Sequence, residues 1–152
     1  MVESISLMPS TRDITGLVYR AERYFASLVG ERLHEVSSWV TSVADAHTAE
    51  LMGCDKQGER IVGAAAINPG VRVVDTSRRL DGRRVVLVAG ALAGPIGLER
   101  ATCTLRALGA TEVHCAWVTG WAGVVGAADT SRSFDAERAD AVGAGYRPVT
   151  QQ

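Results

Sequence analysis

The feature that most constrains the fold is a central stretch in which two apolar runs flank a glycine-rich segment and a helical pattern. Residues 84–89 (RVVLVA) are an almost unbroken β-branched run, typical of a strand buried on both faces. Residues 90–97 contain three glycines, and residues 96–108 have the spacing of a helix that Gly109 would end. A second apolar run follows at 112–118. This order of elements predicts a right-handed parallel crossover.

The rest of the chain divides into a helical portion and a sheet portion. Residues 1–53 carry apolar side chains at three- and four-residue spacing, which predicts two helices separated near Gly30. Residues 53–58 have the composition of a polar loop, and residues 60–150 form the sheet portion. Further elements predicted in that portion are an apolar run at 61–67, strands at 71–74 and 146–149, a loop at 121–133 and a helix at 134–142. We therefore predict one α/β domain over residues 1–152: an N-terminal helical pair and a mostly parallel sheet of about four or five strands.

Composition narrows the class of protein. The chain has 152 residues, 47% of them hydrophobic, which suits one domain with a substantial core. The net charge of −1 gives no reason to expect a nucleic-acid partner. No apolar run approaches the roughly 18 residues that span a bilayer, and the N-terminus lacks the pattern of a secretory signal. The three cysteines occur in no CxxC motif, so we expect reduced thiols in a cytoplasmic protein with no membrane association.

The loop that contains Gly90, Gly94 and Gly97 is the strongest candidate for a ligand site. Glycines allow the backbone to turn tightly after a strand, and the N–H groups that begin the next helix can hold an anion. Ligands of open α/β sheets bind at the carboxyl ends of the strands, where this loop would lie. A plain tight turn that lets the helix pack closely explains the same glycines equally well. Both interpretations stay open.

The residues around this loop resemble type I phosphoribosyltransferases. Residues 80–88 (LDGRRVVLV) and 105–114 (LRALGATEVH) are similar to the strand before that family's phosphate loop and to the helix end and strand after it. The resemblance covers 67–118, about a third of the chain. It implies an α/β fold with a ligand at the loop. The same loop is also similar to that of short-chain dehydrogenases, but it begins about ninety residues into the chain and no Tyr-x-x-x-Lys pair follows it.

The family's functional side chains are missing from this chain. Ala89 and Gly90 stand where the family has the paired acids that bind the ribose hydroxyls of phosphoribosyl pyrophosphate. Residues 94–97 (GPIG) stand where it has a Thr-Gly-x-Thr phosphate loop, and Pro95 also lacks an N–H. Each lost hydrogen bond to a charged group would cost about 1.5–3 kcal/mol of binding. The resemblance therefore implies a non-catalytic relative that binds a phosphorylated small molecule or a protein partner. The alternative is an active enzyme with altered chemistry, its acids supplied by 129–135.

Charged and polar residues supply further candidates. Arg83 and Arg84 belong to an arginine cluster near the Asp81-Gly82 turn, which suits either an anion site or a solvated strand edge. Asp129 and Ser131 lie after the last predicted central strand, where loops often line α/β sites, although a solvated loop explains them as well. The predicted ligand-binding set is Ala89, Gly90, Gly94, Gly97, Arg83, Arg84, Asp129 and Ser131.

A metal site is not predicted. His114 and Cys115 are adjacent in a predicted strand, so their side chains point to opposite faces, and their spacing from Cys103 and His47 fits no zinc pattern. We expect no metal and no cofactor.

The N-terminal helices carry a large apolar stripe. Its residues include Phe25, Leu28, Trp39, Val40 and Val43. Helix-on-sheet packing explains the stripe, and the alternative is a surface for a homodimer or another protein partner.

Overall fold

A four-stranded sheet in which all strands run parallel organises the molecule. The structure, a computed structural model, describes residues 30–141. The strands, in their spatial order, are β1 (Glu50–Gly53), β2 (Arg84–Leu92), β3 (Glu112–Gly120) and β4 (Thr130–Ser133). The helices are α1 (Leu33–His47), α2 (Lys56–Ala65) and α3 (Ile96–Ala107), and residues 134–141 are also helical. This architecture confirms the predicted α/β fold with a parallel sheet.

Helices cover both faces of the two central strands. Side chains of β2 alternate between two apolar clusters, as a period of two requires. Val86 and Val88 pack with α1 and α2 on one face, while Val85 and Leu87 pack with α3 on the other. Buried residues that the helices contribute are Val36, Val40, Val43, Ile61, Val62, Leu98 and Leu105. Burial on both faces explains why β2 and β3 have nearly continuous apolar sequences.

The prediction that residues 1–53 are helical was wrong at the end of that range, because residues 50–53 form strand β1. α1 ends at His47, because Thr48 adopts a left-handed conformation (φ 52°) and its N–H bonds to the carbonyls of Ala44 and Asp45. The chain then enters β1, where Leu51 pairs with Val86 of β2. Leu51 and Met52 extend the apolar pattern of the preceding helix, so periodicity alone continues the helix into this short strand.

The segments between β1 and β2, and the segment that contains β4, also differ from their predictions. α2 occupies half of the predicted loop at 53–58 and most of the apolar run at 61–67. The predicted strand at 71–74 is reduced to one isolated bridge between Val73 and Leu51. The end of the predicted loop at 121–133 is β4, which pairs with β3. For the bridge at Val73 and for β4, contacts with distant parts of the chain decide the local structure.

The central elements and the last helix lie close to their predicted positions. Gly109, with a φ of 102°, follows the end of α3. The predicted helix at 134–142 is present over 134–141. The first predicted helix and the strand at 146–149 lie outside the described residues. Among residues 30–141, no helix has both the length and the apolar character needed to cross a membrane.

The described part of the apolar stripe packs inside the molecule. Val40 and Val43 are buried against the sheet. The indole of Trp39 donates a hydrogen bond to Glu137 and meets the ring of Phe134 edge-on at 5.4 Å between centroids. In α1 the stripe is therefore core, while Phe25 and Leu28 lie outside the described residues.

Two glycine substitutions test this fold in opposite directions. A Cβ on Gly109 would lie 2.1 Å from Asp81 Oδ1, and its φ is positive. We expect Gly109→Ala to lower the free energy of unfolding by more than about 1 kcal/mol. In α2, a Cβ added to Gly63 would meet nothing within 4 Å, so Gly63→Ala should raise the free energy of unfolding by about 0.5–1 kcal/mol. Urea denaturation measures both, and a Gly109→Ala variant as stable as the parent would contradict the structure.

Candidate functional site

The carboxyl ends of the parallel strands form one edge of the sheet, called here the carboxyl edge. It consists of residues 54–58 after β1, residues 90–97 at the end of β2, and residues 120–124 after β3. The N–H of Cys54 bonds to the carbonyl of Val88, and the N–H of Trp121 bonds to that of Leu92. The three segments are thus adjacent, in the position where open α/β sheets bind their ligands.

Two glycines at this edge are required by packing. A Cβ on Gly58 would lie 1.9 Å from the carbonyl oxygen of Val88, and one on Gly90 would lie 2.3 Å from Cβ of Gln57. Only glycine lets the start of α2 approach β2 so closely. For Gly90, close packing is therefore a sufficient explanation.

Gly94 and Gly97, the remaining glycines of the loop at 90–97, have no such explanation. A Cβ on Gly94 or Gly97 would meet nothing within 4 Å, and neither residue has a positive φ. Between them, Pro95 is the N-cap of α3 and makes no side-chain capping bond. The first N–H groups of a helix have no acceptor within the helix. Gly94 and Gly97 thus leave open space beside backbone donors, and the packing of the described chain does not require that space.

The side chain of Asp55 joins two segments of this edge. As the N-cap of α2, Asp55 accepts a hydrogen bond from the N–H of Gly58 at 2.6 Å. Both of its carboxylate oxygens also lie 3.2 Å from the N–H of Gly90. The carboxylate of Asp55, which follows β1, therefore lies beside Gly90. Type I phosphoribosyltransferases, which the sequence resembles, have an acid at the position that corresponds to Gly90.

Gln57 adds an unpaired acceptor at the same place. Its side chain packs over Gly90, and its Oε1 is buried without a hydrogen-bond partner among the described residues. A buried acceptor without a donor costs free energy. A ligand with a hydroxyl or amino donor would reach this oxygen only after the Gln57 side chain changes its rotamer, because the atom is closed off from solvent.

Sequence reasoning missed both residues, although a signal was present. Asp55 stands just before a helical pattern of apolar residues at 61, 62 and 65, which is the position of an N-cap. Reading 53–58 as a loop hid that pattern. The contact with Gly90 had no local signal, because it depends on the pairing of β1 with β2.

The side chains of Ala89 and Ser131 both make contacts within the fold. Ala89 is 1% exposed and belongs to the core that α3 covers. The hydroxyl of Ser131 accepts a hydrogen bond from the N–H of Val125 at 2.8 Å. The side chain of Ala89 is therefore closed to a ligand, and the place of Ala89 in the ligand-binding set stays a prediction.

Arg83 and Arg84 lie at the opposite edge of the sheet, called here the amino edge. Arg84 begins β2, and Gly90 follows it six positions later in the strand, which is about 20 Å at about 3.3 Å per residue. Arg83 bonds to Glu50 at 3.1 Å, and Arg84 bonds to Glu112 at 2.7 Å. Their predicted place beside the glycine loop was wrong, because residues that precede a strand lie at its amino end.

The neighbouring arginines are also paired with acids. Arg78 lies 3.6 Å from Asp75, and Arg79 lies 3.1 Å from Asp81. A polar cavity of about 650 Å³ at this edge is lined by Asp45, Glu50, Arg72, Arg83 and Arg84, among others. These pairs fit a solvated, charge-balanced edge better than an anion site.

Asp129 also lies at the amino edge, just before β4. Its Oδ2 accepts hydrogen bonds from the N–H of Val113 at 2.8 Å and from Arg106 at 3.0 Å. The bond from Val113 is the largest effect and lowers the pKa of Asp129; burial opposes it, and the adjacent Arg106 lowers the pKa further. Asp135 lies beyond the other end of β4 and pairs with Arg32. The two acids therefore cannot serve a single cleft, as the prediction of an altered enzyme required.

Cys54 and Cys115 do not form a nucleophile, and the described residues form no metal site. Burial raises the pKa of Cys115 to about 11, and burial also raises the pKa of Cys54 at the carboxyl edge. Both are therefore protonated near neutral pH. Within residues 30–141, no three His, Cys, Asp or Glu side chains are grouped closely enough to hold a metal ion.

Comparison with known proteins assigns no family. No protein-family model matches the chain, and no curated protein is significantly similar to it in sequence. Any function must therefore be argued from the geometry of the carboxyl edge.

The structural role of Asp129 can be tested directly. Asp129→Ala removes the acceptor of the Val113 N–H, and we expect a loss of about 1 kcal/mol or more in the free energy of unfolding. Asp45→Ala, at an exposed acid without a side-chain bond among the described residues, should change it by less than about 0.5 kcal/mol.

The loss of stability in Asp129→Ala should also depend on pH. Because the pKa of Asp129 is lower in the folded protein, its contribution is present above its unfolded value of about 3.9 and is lost as the pH falls through the folded value. The difference between the parent and Asp129→Ala should therefore shrink below about pH 4. A constant difference down to pH 2 would contradict this assignment.

Proposed function

We propose that this chain is a non-catalytic phosphoribosyltransferase-like domain that binds a phosphorylated sugar or nucleotide-like ligand at the carboxyl edge. One observation carries the proposal. Gly94 and Gly97 leave open space beside an uncapped helix start, although neither backbone conformation nor packing requires a glycine there. Glycines at these positions would let a ligand approach the backbone closely.

The phosphate would lie at the start of α3. The N–H groups of Ile96, Gly97 and Leu98 have no acceptor within the helix and meet the positive end of its dipole. Glu99 lies in the same first turn, so side chains supply no excess of positive charge there. Binding would rest on backbone donors, and free phosphate alone should bind weakly.

The sugar would lie towards α2. The carboxylate of Asp55 and the unpaired Oε1 of Gln57 are acceptors beside Gly90, and sugar hydroxyls are matching donors. Asp55 has lone pairs left after its bonds to the two glycine N–H groups. A ligand with both phosphate and hydroxyl groups therefore fits this edge better than a simple anion.

The absence of catalysis follows from the same side chains. The resembling family needs two acids after the strand, and this chain has Ala89 and Gly90 there. Asp55 supplies one carboxylate, and it is already bonded to two backbone N–H groups. Asp129 lies at the other edge of the sheet. We therefore expect binding without phosphoribosyl transfer.

The test is thermal unfolding of the protein with phosphoribosyl pyrophosphate, ribose 5-phosphate, nucleoside mono- and triphosphates, and free phosphate. Binding at about a hundred times the dissociation constant should raise the free energy of unfolding by roughly 2.7 kcal/mol. Gly94→Val should remove the shift caused by the sugar phosphates while the protein stays folded, because its side chain would project into open space.

Gly70→Val is the matched control. Gly70 has equally open surroundings and lines the amino-edge cavity, so this variant should keep the full ligand response. No shift with any of these compounds would overturn the small-molecule proposal. Loss of the response in both valine variants would show that it does not arise at the glycine loop.

A further inference from the structure

Two histidines are stacked where α1 meets the sheet. His47 is the last residue of α1, and His114 lies in β3. Their ring centroids are 3.6 Å apart and the rings are 16° from parallel. Such close stacking suits two neutral imidazoles and opposes charge on both rings, because like charges at this distance repel strongly.

The surroundings of His114 favour the neutral form of its ring. It is 2% exposed, and its Nδ1 lies 2.9 Å from the hydroxyl of Thr130. Its Nε2 is buried and has no hydrogen-bond partner among the described residues. A protonated ring would carry an N–H donor on Nε2, and that donor would have no acceptor here.

The charges around His114 do not replace this missing partner. Arg84 of β2 and Glu112 of β3 pair with each other at 2.7 Å. Asp129, before β4, is bonded to Arg106 and to the backbone of β3. From α1, the facing group is His47 itself. The acids that approach His114 are therefore already committed to other donors.

The joint between α1 and β1 is also strained. Thr48 follows His47 with a φ of 52°, a conformation that a β-branched residue rarely adopts. Arg84 donates a hydrogen bond to the carbonyl of His47 at 3.3 Å. In addition to the buried Val43 and Ala44, the stacked rings and this side-chain bond hold the last turn of α1 on the sheet, next to a backbone that would relax on release.

We propose that the His47–His114 stack is a proton-sensitive contact, which holds the last turn of α1 on the sheet while the ring of His114 is neutral and releases that turn when His114 is protonated. This inference is independent of the ligand proposed for the carboxyl edge. It assigns a role to the one buried histidine of the described chain.

The direction of the pH dependence follows from the surroundings of the ring. Burial lowers the pKa of His114, His47 lowers it further, and Glu112 and Asp129 oppose this to a smaller extent. A histidine with a lowered folded pKa stabilises the closed state above its free value of about 6.5. That contribution is lost as the pH falls below about 6.5 and through the folded value. Release therefore belongs to mildly acidic conditions.

The test is hydrogen exchange of backbone amides, followed by NMR at pH 7.0 and 5.5 and corrected for the intrinsic rates. We expect the protection of the last turn of α1, residues 44–47, to fall at least about fivefold on acidification, the lower end of ordinary coupling effects. Amides of α3, on the other face of the sheet, serve as the internal reference. They should keep their protection, which separates local release from general acid destabilisation.

Three histidine variants complete the design. His114→Gln keeps a partner for Thr130 but cannot become charged, so it should abolish the selective loss of protection. His114→Asn also carries an amide in place of the titratable ring, and it takes the place of His114→Gln if that variant does not fold. His34→Asn changes the exposed histidine of α1 and should leave the loss intact. No selective loss in the parent protein, or a loss that persists in whichever of the first two variants folds, would overturn the proposal.

Discussion

The parallel pairing of β2 with β3 is the interaction on which the rest of the structure depends. Both strands are buried on both faces, so nearly every side chain from Val85 to Ala89 and from Val113 to Val118 must be covered by another element. α1 and α2 supply that cover on one face, and α3 supplies it on the other. Because the strands are parallel, all their carboxyl ends meet at one edge and all their amino ends at the other.

The two edges differ in chemistry as a result. At the amino edge, arginines face acids: Arg83 with Glu50, Arg84 with Glu112, and Arg106 with Asp129. These pairs balance one another and hold the strand starts together. At the carboxyl edge, the backbone donors that begin α3 and the side-chain oxygen of Gln57 have no such partners among the described residues. An unsatisfied edge is where a ligand gains most by binding, which is the physical basis of the proposed site.

The elements with strong local signals were predictable. β2 and α3 combine an unbroken apolar run, a regular helical spacing and the terminal Gly109, so local preference agrees with the fold. β1 was missed because its four residues continue the apolar pattern of α1, and only pairing with Val86 makes them a strand. α2 was missed because the N-cap position of Asp55 was read as part of a loop.

The site was predicted less well than the fold, for two separate reasons. Arg83 and Arg84 precede the strand, so strand direction alone places them at the amino edge. Their nearness to the glycine loop in sequence was misleading. The approach of Asp55 to Gly90 could not be predicted, because 35 residues separate them and the contact needs β1 beside β2. Likewise, only the structure distinguishes Gly90, which packing requires, from Gly94, which it does not.

The central claim is that the two edges are functionally distinct, with ligand binding confined to the carboxyl edge. The most direct test is a titration of the ¹⁵N-labelled protein with ribose 5-phosphate, followed through the backbone amide resonances. The account predicts that the largest shifts occur at residues 94–98, with smaller ones at Gly58 and Gly90, and that residues 82–84 stay unchanged. Shifts concentrated at residues 70–84, beside the amino-edge cavity, would contradict it.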